Sequence, residues 1–146
     1  MSVDPGTDRT RSAISELLDV SIPADLKAIG SVTDTISAIL ERLEVQEQKR
    51  HEIALAAQEA LANAVVHGCK CDPSKKVRCR LQRESRGTIV VTVTDPGPGF
   101  SPAAVADPQQ PERLYADNGR GIFLIRQLMD EVHFENGGNQ ITMRKY

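Results

Sequence analysis

The chain has 146 residues, 40% hydrophobic and 26% charged, which is enough for one domain to bury a core without disulfide or metal staples. A net charge of −2 and an aromatic content of 3% disfavour a direct nucleic-acid interface, which usually needs a basic field or stacking side chains. Neither a run of 18 apolar residues nor an apolar leader is present, so we expect a cytoplasmic protein that does not contact the membrane.

The first half of the chain predicts a tail, one strand and two helices. Residues 1–12 are charged and lack periodicity, which predicts a disordered tail before a domain over 13–146. The spacing of apolar residues predicts, in order, a strand at 14–22, a helix from about 24 to 42, and a helix from about 46 to 66 that Gly68 closes.

The second half predicts four strands, a long connection and a third helix. Alternation and β-branched residues favour strands at 77–83 and 88–95, and a Pro-rich stretch over 101–118 is typical of a mobile lid. A glycine-rich turn then leads into a helix at 122–129, and a hairpin follows over 131–145. This order predicts an α+β fold: a two-layer α/β sandwich with helices on one face of a mixed, mostly antiparallel sheet.

The three cysteines leave two interpretations open. Their odd number, without a secretion signal, disfavours a disulfide framework. Cys69, Cys71 and Cys79 could hold a structural metal together with His67, although a single C-x-C lacks the second cysteine pair of common zinc sites. Free thiols are the simpler alternative, because Cys79 has the phase of a core residue in its predicted strand.

A polar stripe runs along the second predicted helix. Asn63 lies about 40° and His67 about 80° from Glu59 on a helical wheel, and Glu52 falls near 20°. Because the other positions are mostly Ala, Val, Leu or Ile, we expect this helix to be buried nearly all round. A buried carboxylate and amide must be hydrogen-bonded, ion-paired or in contact with a ligand. Taken alone, the stripe is most simply a satisfied internal network or an exposed edge of the helix.

A carboxylate is predicted at the end of the 88–95 strand. Asp95 has the phase of the core residues Val91 and Val93, and it precedes a loop containing Gly97 and Gly99. Such a carboxylate can accept a hydrogen bond from an exocyclic amine such as adenine N6, and the glycines let the backbone approach a ligand. A plain turn with a capping Asp is the alternative.

The third helix opens on a possible phosphate site. Gly119, Arg120 and Gly121 precede it, and a helix N-terminus offers free N–H groups and a positive dipole end to which Arg120 adds a cation. A flexible turn is the alternative. Neither a Walker A motif nor G-x-G-x-x-G is present, which excludes those two nucleotide sites.

In combination and in this order, the three motifs resemble those of the GHKL ATPase superfamily, which includes histidine-kinase catalytic domains. The chain is most similar to the small bacterial anti-sigma-factor serine/threonine kinases. Their N box is matched by 59–64 and continues to 68, their G1 box by 95–100, and their G2 box by 119–122. The similarity runs from about residue 14 to 146 and implies the Bergerat ATPase fold.

The resemblance implies ATP and Mg²⁺ as cofactors. It implies that Glu59 is the general base and that Asn63 coordinates the metal. The remaining implied nucleotide contacts are Asp95 with the adenine amino group through a water shared with Thr142, Gly97 and Gly99 around the adenine, and Gly119, Arg120 and Gly121 over the phosphates.

Three functions remain open. The resemblance implies a kinase that phosphorylates a serine on an anti-anti-sigma antagonist, sequesters a sigma factor, and dimerises through its first strand and helix. An ATP-binding partner-switching regulator without kinase activity is the alternative. A sensor histidine kinase with His51 as phosphoacceptor is disfavoured, because no separate dimerisation hairpin is present and His51 shares the predicted helix of Glu59. We expect His51 to be solvated or to cap the helix.

Overall fold

The computed structural model describes residues 14–97 and 117–146. The predicted tail, Gly99 and most of the predicted lid lie outside these residues. The elements are β1 (Ser15–Pro23), a 3₁₀ turn (Leu26–Ala28), α1 (Ile29–Arg42), α2 (Glu47–Asn63), a π turn (Ala64–Gly68), β2 (Lys76–Arg83), β3 (Ile89–Thr94), α3 (Asp117–Leu128), β4 (Glu131–Glu135), a 3₁₀ turn (Asn136–Gly138) and β5 (Gln140–Lys145).

The five strands form one sheet in the order β1-β2-β3-β5-β4, and each pair of neighbours is antiparallel. The predicted mostly antiparallel sheet is therefore confirmed. Alternation along β2 buries Val77, Cys79 and Leu81 against the helices, while Arg78 and Arg80 lie on the opposite face. Burial raises the pKa of the Cys79 thiol to about 12, so this cysteine is a neutral core residue.

The three helices cover the other face of the sheet. α1 presents Ile29, Val32, Ile36 and Leu40 to the core at helical spacing. The central helix, α2, is not buried nearly all round as its composition predicts, because His51, Leu55 and Gln58 are exposed. Its small alanines instead form one packed face, and the rest of its surface is open. No helix of the described residues is long and apolar enough to span a membrane.

The C-terminal end of α2 widens into the π turn. Cys69 N–H donates to Ala64 O at 2.9 Å and Cys71 N–H to Val65 O at 2.8 Å, in place of the plain helical end predicted there. Lys70 and Cys71 then take positive φ angles of 55° and 58°. Single π turns concentrate at functional sites, and this one contains His67 and Gly68.

The start of α3 also differs from its prediction. The helix begins at Asp117, so Gly119, Arg120 and Gly121 lie within its first turns instead of in a turn before it. α3 packs against α2. A glycine in a helix interior is normally destabilising, and the contacts of Gly121 described below give the physical reason for its presence.

The cysteines do not gather with His67 into a ligand set. Cys69 and Cys79 are buried, Cys71 is exposed, and all three are free thiols. Within residues 14–97 and 117–146, no three His, Cys, Asp or Glu side chains are grouped so that they could hold a metal ion.

Candidate functional site

Two of the predicted motifs meet where α2 and α3 touch. A Cβ built on Gly121 would lie 3.3 Å from Glu59 Oε1 and 3.5 Å from Asn63 Oδ1. The bare backbone of Gly121 therefore packs directly over the carboxylate and the carboxamide. An alanine at this position would require the Glu59 carboxylate to shift by a few tenths of an ångström, and this favours a glycine inside α3.

Glu59 and Asn63 do not form the satisfied internal network that is the simplest interpretation of their stripe. Both side chains are half-buried, and neither makes a hydrogen bond or ion pair with another described residue. Glu52, two turns earlier on the same helix, is instead paired with Lys145, at 2.8 Å between Oε1 and Nζ. The stripe thus contains one carboxylate in an ion pair, that of Glu52, and an open pair that consists of the Glu59 carboxylate and the Asn63 carboxamide.

The open pair faces a cavity of about 650 Å³, a volume typical of small-molecule sites. His67 and Arg120 line the same cavity, and His67 Nε2 is buried without a hydrogen-bond partner among the described residues. The remaining lining is largely apolar and consists of Leu26, Ala62, Val66, Phe123 and Leu124. A cavity with one cation, one carboxylate and one carboxamide on an apolar wall suits a charged ligand that must be oriented.

Asp95 lies beside this cavity because it is next to Gly68, the last residue of the π turn that follows α2. A Cβ on Gly68, the residue after His67, would collide with the Asp95 carboxylate, and a Cβ on Gly97 would collide with Gly68 O. Asp95 Oδ1 accepts a hydrogen bond from Gly97 N–H at 2.7 Å. Burial raises the pKa of Asp95, and this backbone hydrogen bond opposes the rise. Gly68 and Gly97 therefore permit a close approach that leaves a desolvated carboxylate without a cation partner among the described residues.

Asn139 belongs to the same group and was not singled out from the sequence. Its backbone oxygen accepts from Asp95 N–H at 3.0 Å and its Nδ2 donates to Gly97 O at 3.2 Å. Its Oδ1 is buried with no hydrogen-bond partner among the described residues. Leaving such a group unpaired costs about 1–3 kcal/mol, which a ligand donor would recover. Because Asn after two glycines is ordinary turn chemistry, the sequence carried no sharper signal.

The prediction that Thr142 shares a water with Asp95 is wrong. Thr142 is in register with Thr92, whereas the core-facing Val93 is in register with Ile141. Alternation therefore places Thr142 on the outer face of the sheet, away from Asp95. Its hydroxyl donates to Glu135 Oε1 at 3.0 Å.

Three of the other predicted site residues lie either beside Asp95 or at the cavity of Glu59 and Asn63. Gly97 lies against Asp95, and Arg120 and Gly121 line the cavity. Gly119 lies in the first turn of α3, where backbone N–H groups have no helical partner. Gly99 lies outside the described residues. His51 is exposed.

The residues present fit a nucleotide and a magnesium ion. The orphaned Asn139 oxygen and the half-buried Asp95 carboxylate offer acceptors for an amine-bearing base. Mg²⁺ keeps most of its waters and binds through one or two protein oxygens plus substrate phosphates. The single open carboxamide oxygen of Asn63 suits that mode of binding, which does not need a cluster of protein ligands.

Known proteins resemble the chain over almost its whole length. A family described as histidine kinase-like ATPase domain matches residues 22–145. The serine-protein kinase RsbW of Bacillus subtilis is 27% identical over 140 residues, covering 90% of this chain and 86% of the relative. The serine-protein kinase RsbW of Halalkalibacterium halodurans is 30% identical over 138 residues, covering 90% and 83%.

Two solved structures show the same fold. The crystal structure of the RsbU and RsbW domains of a Mycobacterium tuberculosis protein superimposes with a TM-score of 0.57 and 17% identity, covering 88% of this chain and 31% of that one. A blue-light activated histidine kinase of Erythrobacter litoralis superimposes with a TM-score of 0.52 and 21% identity, covering 85% and 61%. The chain thus spans less than two thirds of either solved chain.

Proposed function

The chain belongs to the histidine kinase-like ATPase domain family, and we propose that it is a protein serine kinase that transfers a phosphoryl group from ATP. The observation that carries the proposal is the contact of Gly121 with both Glu59 and Asn63. It joins the two motifs around an open cavity and leaves a base and a metal ligand side by side. The RsbW serine-protein kinases that align with 90% of the chain support serine as the acceptor.

The base of the nucleotide is held at the end of β3. Asp95 accepts a hydrogen bond from the exocyclic amine of adenine, in a place where burial strengthens the interaction. Gly68 and Gly97 keep the backbone close enough for the ring to reach the carboxylate. The unpaired Oδ1 of Asn139 is a second acceptor at this position.

The phosphates extend toward the open pair on α2. Arg120 and the free N–H groups at the start of α3, including that of Gly119, neutralise and orient them. Asn63 would hold Mg²⁺, which would supply charge neutralisation at the transferring phosphoryl group. Gly121 allows this end of α3 to lie directly over the site.

The acceptor serine enters the same cavity, and Glu59 accepts its hydroxyl proton as the serine oxygen bonds to the γ-phosphorus of ATP. The bond between that phosphorus and the β–γ bridging oxygen breaks in the same transfer, and ADP leaves. Glu59 is suited to this role because it has no ion-pair partner among the described residues, so its charge is available to the substrate. Phosphoryl transfer otherwise depends on positioning and electrostatics, which the cavity provides.

The partners follow from the proposed activity. The substrate is a serine on an anti-anti-sigma antagonist protein, and the alternative partner is a sigma factor that the protein sequesters. The proposal includes a homodimer and a cytoplasmic location, where ATP and the transcription machinery occur together. The resemblance to anti-sigma-factor kinases and the RsbW relatives support this part of the proposal.

The test compares two carboxylates of α2 in a transfer assay with γ-labelled ATP, Mg²⁺ and the antagonist. We expect Glu59→Gln to slow label transfer by about 10²- to 10⁴-fold while ATP still binds. Glu52→Gln makes the same chemical change outside the cavity and should transfer at the wild-type rate. Asn63→Ala should lose Mg²⁺-dependent ATP binding. Transfer that survives Glu59→Gln would contradict the assigned base, and binding without transfer by the wild-type protein would favour a nucleotide-dependent regulator.

A further inference from the structure

A second cavity, of about 280 Å³, lies at the other end of the sheet from Asp95. Arg83 ends β2 and Ile89 begins β3 at this cavity, whereas Asp95 follows the far end of β3. The turn between α1 and α2 and the first part of α2 form the other wall of this cavity. It shares no lining residue with the cavity that holds Glu59 and Asn63.

Three cationic residues of this second cavity have no partner among the residues that the structure describes. Lys49, Arg83 and Arg86 line it, and none of them makes a hydrogen bond or ion pair with another described residue. Lys145 also lines it, but Lys145 is neutralised by Glu52 at 2.8 Å. Glu44 is the acidic side chain among the lining residues. Counted over the side chains that line the cavity, with the paired Lys145 left out, the positive charges exceed the negative ones by two.

Arg86 occupies a backbone conformation that an arginine adopts only at a cost. Its φ is 88°, in the turn between β2 and β3, and its neighbour Gly87 has a φ of 85°. A glycine at position 86 would take this conformation freely. Glu44, which also lines the cavity, has a positive φ of 60°. It lies two residues after α1, where the helix is terminated and Val45 N–H donates to Leu40 O at 3.0 Å. The termination of α1 thus accounts for the positive φ of Glu44, whereas folding alone does not account for an arginine at a position with the positive φ of residue 86.

We propose that Lys49, Arg83 and Arg86 bind a phosphate group in this second cavity. A phosphate group carries a charge of about −1.5 to −2 at neutral pH, which matches the positive excess, whereas one carboxylate would leave half of it unbalanced. Two guanidinium groups also offer the paired N–H donors that phosphate oxygens accept. The volume lies just below the range of about 300–1,000 Å³ for drug-sized ligands, so the cavity suits a phosphate group on a short attachment and not a whole nucleotide.

The phosphate can be the free ion or a phosphorylated side chain of a protein, and a site-resolved NMR titration at constant ionic strength distinguishes the two. We expect the backbone amide signals of Lys49 and Gly87 to shift and saturate. Saturation by inorganic phosphate supports the free ion as ligand. Saturation by a phosphoserine peptide, but not by its unphosphorylated form or by the free ion, supports a protein ligand. Shifts that follow ionic strength without saturating would overturn the proposal.

Two variants and a matched control assign the effect to this cavity. Arg86→Gly should weaken phosphate binding by about tenfold or more, while its melting temperature stays equal or rises because the positive φ is relieved. Arg83→Gln should weaken binding similarly without a change in backbone freedom, and it decides the question if Arg86→Gly does not fold. Lys76→Gln removes an exposed cation at the other end of β2 and should bind phosphate as the wild type does. Unchanged affinity in Arg83→Gln would refute the site.

Discussion

Glu52 and Glu59 are the same residue type on the same helix, on nearly the same side and two turns apart, yet their surroundings are opposite. Glu52 is bound to Lys145 at 2.8 Å, and its pKa is held below the usual range by that hydrogen bond. Glu59 has no such partner among the described residues and faces a cavity beside Asn63. A carboxylate in a pair contributes to the fold, whereas an open one beside a cavity is available to a ligand.

Asp95 extends this comparison to a third carboxylate, which is half-buried and has no cation partner among the described residues. Its pKa is raised by burial, so in the folded protein it holds its proton more tightly than in the unfolded chain. The sign is opposite to that of a paired carboxylate: stability rises as pH falls through this raised pKa, and the charged form is a cost at neutral pH. A cost to the fold at a position beside a cavity is typical of a binding site, and this agrees with the role proposed for Asp95.

After the loss of label transfer expected from Glu59→Gln, the next largest effect is expected from Asp95→Asn, which extends the comparison to the third carboxylate. The variant keeps an oxygen for Gly97 N–H but offers adenine a neutral acceptor and loses a charged hydrogen bond. We expect ATP affinity to fall by about 10- to 100-fold in a calorimetric titration. The melting temperature at neutral pH should remain equal or rise, since a partly desolvated charge is removed. A variant that binds ATP normally but unfolds more easily would mean that Asp95 serves the fold, as Glu52 does.

An intermediate effect is expected from Gly121→Ala. The added Cβ would lie 3.3 Å from Glu59 Oε1, closer than nearly all natural contacts, so the carboxylate must shift. We expect kinase turnover to fall by about tenfold, because small displacements of a catalytic group are costly. Gly30→Ala is the control, because nothing lies within 4 Å of its added Cβ in α1. The control should keep its activity and gain about 0.5–1 kcal/mol of helix stability. Equal activity in both variants would mean that the position of Glu59 tolerates displacement.

The smallest effect is expected from the ion pair of Glu52 with Lys145, measured as a change in the free energy of unfolding. Glu52→Gln should lower the free energy of unfolding by about 0–1 kcal/mol at neutral pH, whereas Glu59→Gln should not lower it. Because the pKa of Glu52 is lowered in the folded state, its contribution is complete above the unfolded pKa and is lost as pH falls through the folded one. Urea unfolding at neutral pH and at acid pH measures this. A loss for Glu52→Gln that persists at acid pH would contradict an electrostatic origin.

Much of the fold followed from local patterns. Alternation predicted a strand over 77–83 with Cys79 in the core, and helical spacing predicted the first helix; the structure has both. These predictions held because each depends on one element and one face. The π turn after Asn63 and the start of α3 at Asp117 were not predicted, because both depend on packing between elements: Gly68 against Asp95 and Gly121 against α2.

The site divides in the same way. Glu59, Asn63, Asp95 and the two glycine motifs are recognisable from residue type and order, because a carboxylate or a glycine in an unusual place is visible in the sequence. Which carboxylate on α2 is open, which side of the sheet Thr142 faces and which amide stands beside Asp95 could not be read there. Wheel angles and motif order describe one segment at a time, whereas a salt bridge, a strand register and a buried acceptor depend on segments distant in the chain. The residue types at the site were thus determined by the sequence, and their partners were decided by the tertiary structure.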